Sequence, residues 1–204
     1  MMNRRSASIL AVTGVALLAL LAGCQAVFTY SPLSFLQRDP ADLPPDQQVS
    51  WAEQALASGD PQAMAQAYDL VKGDPDQAYL AASLAAELSG VTQALADAIA
   101  DLDTILGMDE AALQTYLEGF IASLDVTYAE EAADLFNAAI PTGELTGTDV
   151  IVGALCYAFK AAVANGNDIT TANLSDMQAF ITAAALPTDD PAAELLGQID
   201  DLWP

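Results

Sequence analysis

Four pairs of adjacent carboxylates, Asp109-Glu110, Glu130-Glu131, Asp189-Asp190 and Asp200-Asp201, are the side chains here best suited by type to move protons. Glycosidase-like acid–base work needs two carboxyls about 5–10 Å apart in a cleft, one with a raised pKa. Carboxylates at helix starts do a different job, accepting from free amides and complementing the positive helix end, and these pairs are expected to be solvated caps. The sequence has no histidine, which excludes Ser-His-Asp and Cys-His catalysis and histidine-bearing metal sites. The stretch "DLDTILGMDE" looks like a calcium loop but puts Ile105 where a ligand must stand, and "NGNDIT" fails likewise. No enzymatic activity, cofactor or metal is expected.

The two cysteines differ in setting. Cys156 lies in "VIVGALCYAFKAAVA", the most apolar stretch outside the N-terminus, where burial raises a thiol pKa and suppresses reactivity. Cys24 instead closes an N-terminal segment that opens Met1-Met2-Asn3-Arg4-Arg5 and runs apolar from Ile9 to Leu21, broken by Thr13 and Gly14. A basic start, a short apolar middle and a small-residue exit describe a secretory signal, and the apolar part falls short of the roughly 20 residues of a stable span. The exit, Leu21-Ala22-Gly23-Cys24, resembles the lipobox of bacterial lipoproteins. That resemblance implies cleavage between Gly23 and Cys24, a diacylglycerol on the Cys24 sulfur and further acylation of its amine. Two or three fatty chains hold a protein at a bilayer where one does so only marginally. In such families the residue after the cysteine influences sorting, and Gln25 favours the outer membrane, with the domain facing the periplasm.

Removal of residues 1–23 leaves 181 residues, enough for one domain with a sizeable core. Those residues carry 28 acids against Arg38, Lys72 and Lys160, a net charge of −25. Such a surface repels phosphate, so nucleic acid and anionic headgroups are unsuitable partners. Two readings of the charge stand side by side: adaptation to salty water, or a cationic partner. Cys156 has no intramolecular partner once Cys24 is lipidated, so no disulfide framework is expected.

The elements that carry these residues read as helices. Residues 24–45 look like a lipidated tether, with Pro32, Pro40, Pro44 and Pro45 against a continuous helix and Phe28, Tyr30, Leu33, Phe35 and Leu36 resting on the domain or the lipid. From 46 to 204 a single all-helical domain is expected. Asp60-Pro61, Asp74-Pro75 and Asp190-Pro191 each place an N-cap before a proline at the first helical position, with Gly73 and Gly90 as stops. Val91, Leu95, Ile99, Leu102 and Leu106 mark one inward face, with Gln93, Asp97 and Asp101 outward. Leu113, Tyr116, Leu117, Phe120, Ile121 and Leu124 mark another. Thr127 and Glu130 form a candidate capping box, and Ser175 and Gln178 another for a helix running to Leu186. Residues 150–164, apolar all round, read as a central buried helix ended by Asn165-Gly166. Trp51 is expected in the core and Trp203 docked at the terminus. Period-2 alternation with hairpin turns is missing.

"SGDPQAMAQAY" resembles the turn and second helix of a tetratricopeptide repeat through Gly59, Asp60, Ala67 and Tyr68, and "KGDPDQAYLAA" does so through Gly73, Asp74, Ala78 and Ala81. The resemblance covers about 40 residues, and helix pairs begin near 46, 75, 109 and 146, at unequal intervals. The expected fold is therefore all-α, an irregular antiparallel array of about nine helices, tetratricopeptide-like or a bundle, without a sheet. The expected function is a lipid-anchored cell-envelope scaffold or partner-binding module. The alternative is a helical small-molecule-binding accessory lipoprotein of a transport system.

Overall fold

Asp-Pro pairs start helices here as their chemistry dictates. Asp60 takes an extended backbone, and its Oδ1 accepts from the N–H groups of Gln62 (2.8 Å) and Ala63 (3.2 Å). Pro61 follows at the first helical position, where its missing N–H costs nothing. The computed structural model describes residues 39–101, 104–105, 107–168, 172–193 and 196–197. Among these, every regular element is a helix and there is no strand, the expected all-α class.

The chain divides between Leu43 and Pro44 into two units. Of the first, the described part is a 3-10 turn, Pro40–Asp42, capped by Asp39, whose Oδ1 accepts from the N–H of Ala41 at 3.0 Å. The second carries α1 (Pro45–Ser58), α2 (Pro61–Val71), α3 (Ala78–Ser89), α4 (Val91–Ala100), α5 (Glu110–Ala122), α6 (Val126–Ala139), α7 (Gly147–Ala164) and α8 (Ser175–Ala184). Single 3-10 turns, Pro75–Gln77 and Ile140–Thr142, precede α3 and follow α6.

The core is built on alanine. Helix α3 buries Ala78, Ala81, Ala82, Ala85 and Ala86, and α6 buries Ala129, Ala132, Ala133 and Ala139. Small side chains at i, i+3 and i+4 let two backbones approach closely, and α3 against α6 is the most extensive helix pairing, followed by α6 against α7. Helix α7 also touches α3, α4 and α8. At 18 residues and mean hydropathy 1.4 it is long and apolar enough to cross a membrane. Half of it is buried inside the domain, including Val150, Val152, Cys156 and Phe159, as a central helix requires. Gly153 at its middle is needed for this: a Cβ there would stand 2.7 Å from Phe180 Cζ and 3.2 Å from Phe136 Cβ.

One buried polar residue holds three helix ends together. Ser89 is 2% exposed; its Oγ donates to the Ala86 carbonyl at 2.7 Å and accepts from the Val91 N–H at 3.2 Å. Its carbonyl accepts from the N–H of Asp125 at 3.0 Å, which ties the end of α3 to the start of α6. Gly90 turns the chain between α3 and α4 at φ +82°, the left-handed region where glycine is favoured.

Several boundaries differ from expectation, each for a local reason. The turn after Asp74 is 3-10, with the Asp74 carboxylate accepting from Asp76 N–H (3.0 Å) and the Gln77 N–H donating to the Asp74 carbonyl (3.0 Å), and α3 proper begins at Ala78. Helix α6 is capped by Asp125, whose Oδ1 accepts from both Thr127 (3.0 Å) and Tyr128 (3.3 Å), so Thr127 lies inside the helix. Ser175 is the first residue of α8, and its N–H donates to Asn173 Oδ1 at 3.0 Å. That helix stops at Ala184 because Ala185 takes a left-handed conformation. The capping box of the structure is instead Thr146/Asp149, opening α7: Asp149 Oδ2 accepts from Thr146 N–H at 2.8 Å, and Thr146 Oγ1 accepts in return from Asp149 N–H at 3.4 Å. Ile99, assigned inward by periodicity, is 64% exposed. Leu102, Leu106, Trp203, the tether residues 24–38 and the Leu113 side chain lie outside what is described.

Candidate functional site

The carboxylate pairs are separated by the fold into different tasks. Asp109 caps α5 by accepting from Ala112 N–H at 2.9 Å. Asp190 accepts from Ala192 N–H at 2.8 Å and lies against Gly147, at the positive end of α7. Asp200 and Asp201 lie outside the described residues. Gly23 and Cys24, the residues expected from sequence to be the cleavage and lipidation site, do so too.

Glu131 has a role the sequence did not suggest. Its Oε2 accepts from the hydroxyl of Tyr68 at 2.6 Å, joining α2 to α6. Tyr68 is 3% exposed and meets the Tyr128 ring edge-on at 5.5 Å, with Lys72 Nζ 5.0 Å from its ring centre. Burial, then the Glu131 bond and charge, hold the Tyr68 phenol well above the ordinary tyrosine range. Lys72 is raised by its bond to Asp69 (2.7 Å). Tyr68 keeps its proton and joins two helices, while the Lys72–Asp69 pair stays within α2 and its cap. Cys156 is fully buried, and its thiol is pushed up by desolvation to about 12, which keeps it protonated and inert near neutrality. Trp51 is half-buried and packs on the core.

The features that face outward are grooves. One, of about 420 Å³, opens between α1, the Pro75–Gln77 turn, α3 and the loop before α7. Leu56 and Ala57 from α1 and Tyr79 and Leu80 from α3 supply apolar surface; Glu53, Asp76 and Glu144 supply exposed carboxylates. Tyr79 is tied in from behind, its hydroxyl 3.5 Å from Asp149 Oδ2 in the α7 capping box. Burial first, and the Asp149 charge second, raise its phenol pKa. A second groove, of about 410 Å³, lies beside α7 and α8 and contains Tyr157, Lys160 and Asp176. There Lys160 Nζ pairs with Asp134 at 2.8 Å and lies 5.8 Å from the Tyr157 ring centre. A third, of about 280 Å³, is lined by uncharged residues including Ile181, Leu186 and Leu196.

No family model, curated protein or solved structure matches the chain. Its own side chains must therefore carry the functional reading. Among the described residues no three of His, Cys, Asp and Glu converge closely enough to hold a metal ion. The groups on the grooves are exposed carboxylates, the tyrosines Tyr79 and Tyr157, and Lys160 paired with Asp134. Sequence reasoning missed the acidic groove because Glu144 reaches it from the far side of most of the described helices. No local signal links Glu144 to Glu53 or Asp76.

Proposed function

We propose that this chain is a lipid-anchored protein of the bacterial cell envelope, held to the membrane through Cys24, whose helical domain serves as a scaffold or partner-binding module. The observation that carries the proposal is Leu21-Ala22-Gly23-Cys24 at the end of an apolar run behind Arg4-Arg5. Cleavage between Gly23 and Cys24 leaves a lipidated cysteine followed by Gln25, which favours the outer membrane with the domain in the periplasm. The domain supports a binding role over a catalytic one: its thiol is buried, its capping aspartates are engaged by backbone amides, and it presents open grooves. Small-molecule sites bury most of their ligand's surface. The open character of these grooves favours a protein partner over a transported small molecule.

Two measurements test this. Labelled palmitate supplied to a native host should enter the wild-type chain and not Cys24→Ala; label retained by the variant removes the anchor. Pull-down from solubilised envelopes should recover a partner in constant ratio to the chain, and recovery of none would remove the scaffold.

A further inference from the structure

We infer that the groove bounded by Glu53, Asp76 and Glu144 receives a cationic amphipathic helix of a partner protein. This deepens the partner-binding reading and rests on it. Half-buried Leu56, Leu80 and Tyr79 form an apolar floor to the groove, with carboxylates around it. The rim is acidic on three separate elements and has no base among its lining residues. Lys72 and Lys160 are engaged elsewhere, with Asp69 and Asp134, so neither lysine neutralises the rim. The rim carboxylates do not converge on a metal-binding geometry. Several separate cations suit them better than one ion, and a helix with lysines or arginines along its flanks presents such a set. An amphipathic helix laid in this cleft would set its apolar face on the floor and its basic flanks on the rim, the helix-in-groove mode of recognition. The two other grooves described above lack this combination: one contains Lys160, and the described residues lining the other are uncharged.

The probe is a synthetic peptide of about five helical turns with leucine at i, i+3, i+4 and i+7 and lysine on the flanks. Its binding to the full chain in non-ionic detergent is read by fluorescence anisotropy at low salt, beside a scrambled peptide of the same composition. The amphipathic peptide should bind, and the scrambled one should bind weakly. Glu53→Gln/Asp76→Asn/Glu144→Gln should weaken binding about tenfold, since rim charges each contribute modestly. A matched neutralisation elsewhere, Glu87→Gln/Asp97→Asn/Glu118→Gln, should change it less than about twofold. Circular dichroism melts confirm that both variants fold. No binding by the wild type, equal binding of the scrambled peptide, or equal loss in both variants would overturn the proposal. Repeating the envelope pull-down with the groove variant separates the two readings. A partner retained by it leaves the scaffold standing and removes the groove; groove-dependent peptide binding with no envelope partner does the reverse.

Discussion

Gly153 has no space for a methyl group, because Phe180 and Phe136 fill the volume a Cβ would need. Both rings are buried, and the nearest backbone is helical, so neither can swing away cheaply. Gly153→Ala should therefore destabilise the domain by about 1–3 kcal/mol despite alanine's better helix propensity. A urea midpoint equal to or above wild type would show that α8 can shift aside. Tyr68 and Cys156 make a different prediction, at alkaline pH. The folded-state pKa of each is raised by burial, so each releases its proton from the unfolded chain first: the thiol near 9.0, the phenol near 10.0. Above those values the unfolded state binds fewer protons than the folded one, and stability present below them falls as pH rises. The Cys156 contribution continues to fall until about pH 12. Urea midpoints should decline from pH 8 to 11. Cys156→Ala should flatten the first part of that decline and Tyr68→Phe the part above pH 10. Tyr68→Phe should also cost about 1 kcal/mol at neutral pH through the lost bond to Glu131. Decline of unchanged slope in both variants would mean the two burials do not carry the effect.

Helix pairing gives the next test. Helices α3 and α6, the most extensive pairing, bury mostly alanines, and Ala82 and Ala133 among them are wholly buried. Ala82→Leu or Ala133→Leu should each cost about 1–3 kcal/mol by forcing the packed helices apart. Ile99→Ala, at an exposed position of α4, should stay within about 0.5 kcal/mol. Asp125→Ala, which removes the acceptor for two amides, should cost about 1 kcal/mol, and Thr127→Ala less. Equal losses at 125 and 127 would contradict the observed cap. What could be read from sequence at this scale follows from how local each cause is. Asp60-Pro61 and Gly90 act on amides and dihedrals within a few residues, so their roles were legible. Asp125 was overlooked for Thr127 because both lie within one turn of the helix start, and only geometry shows which carboxylate or hydroxyl reaches the free amides. Ile99 was misplaced because period 3.6 identifies a face without showing that anything covers it. The acidic groove was illegible for a stronger reason: Glu53, Asp76 and Glu144 become neighbours only when α1, α3 and the entry to α7 have packed.

Charge is a property of the whole molecule. Within residues 24–204 the 28 acids face three bases, and both lysines are already paired with aspartates. Capping accounts for some of the carboxylates: Asp60, Asp109, Asp125 and Asp190 each accept from backbone amides and gain from the positive helix end. Others, such as Glu53, Asp76, Glu87 and Glu144, are exposed and add to a field of one sign. At about 0.01 M salt the Debye length is about 30 Å, so charges across the domain repel one another; at 1 M it is about 3 Å. Screening removes repulsion between separated carboxylates while leaving capping hydrogen bonds and alanine packing in place. The full chain in non-ionic detergent should therefore melt at a distinctly higher temperature in 1 M sodium chloride than in 0.01 M. The cation used separates two physical causes. If screening acts alone, choline chloride at equal ionic strength should raise the melting temperature nearly as far as sodium chloride. If sodium binds among the carboxylates, choline should fall well short. A melt indifferent to either salt would mean that the acids are spaced too widely to repel, and the acidic surface would then bear on partner choice without bearing on stability.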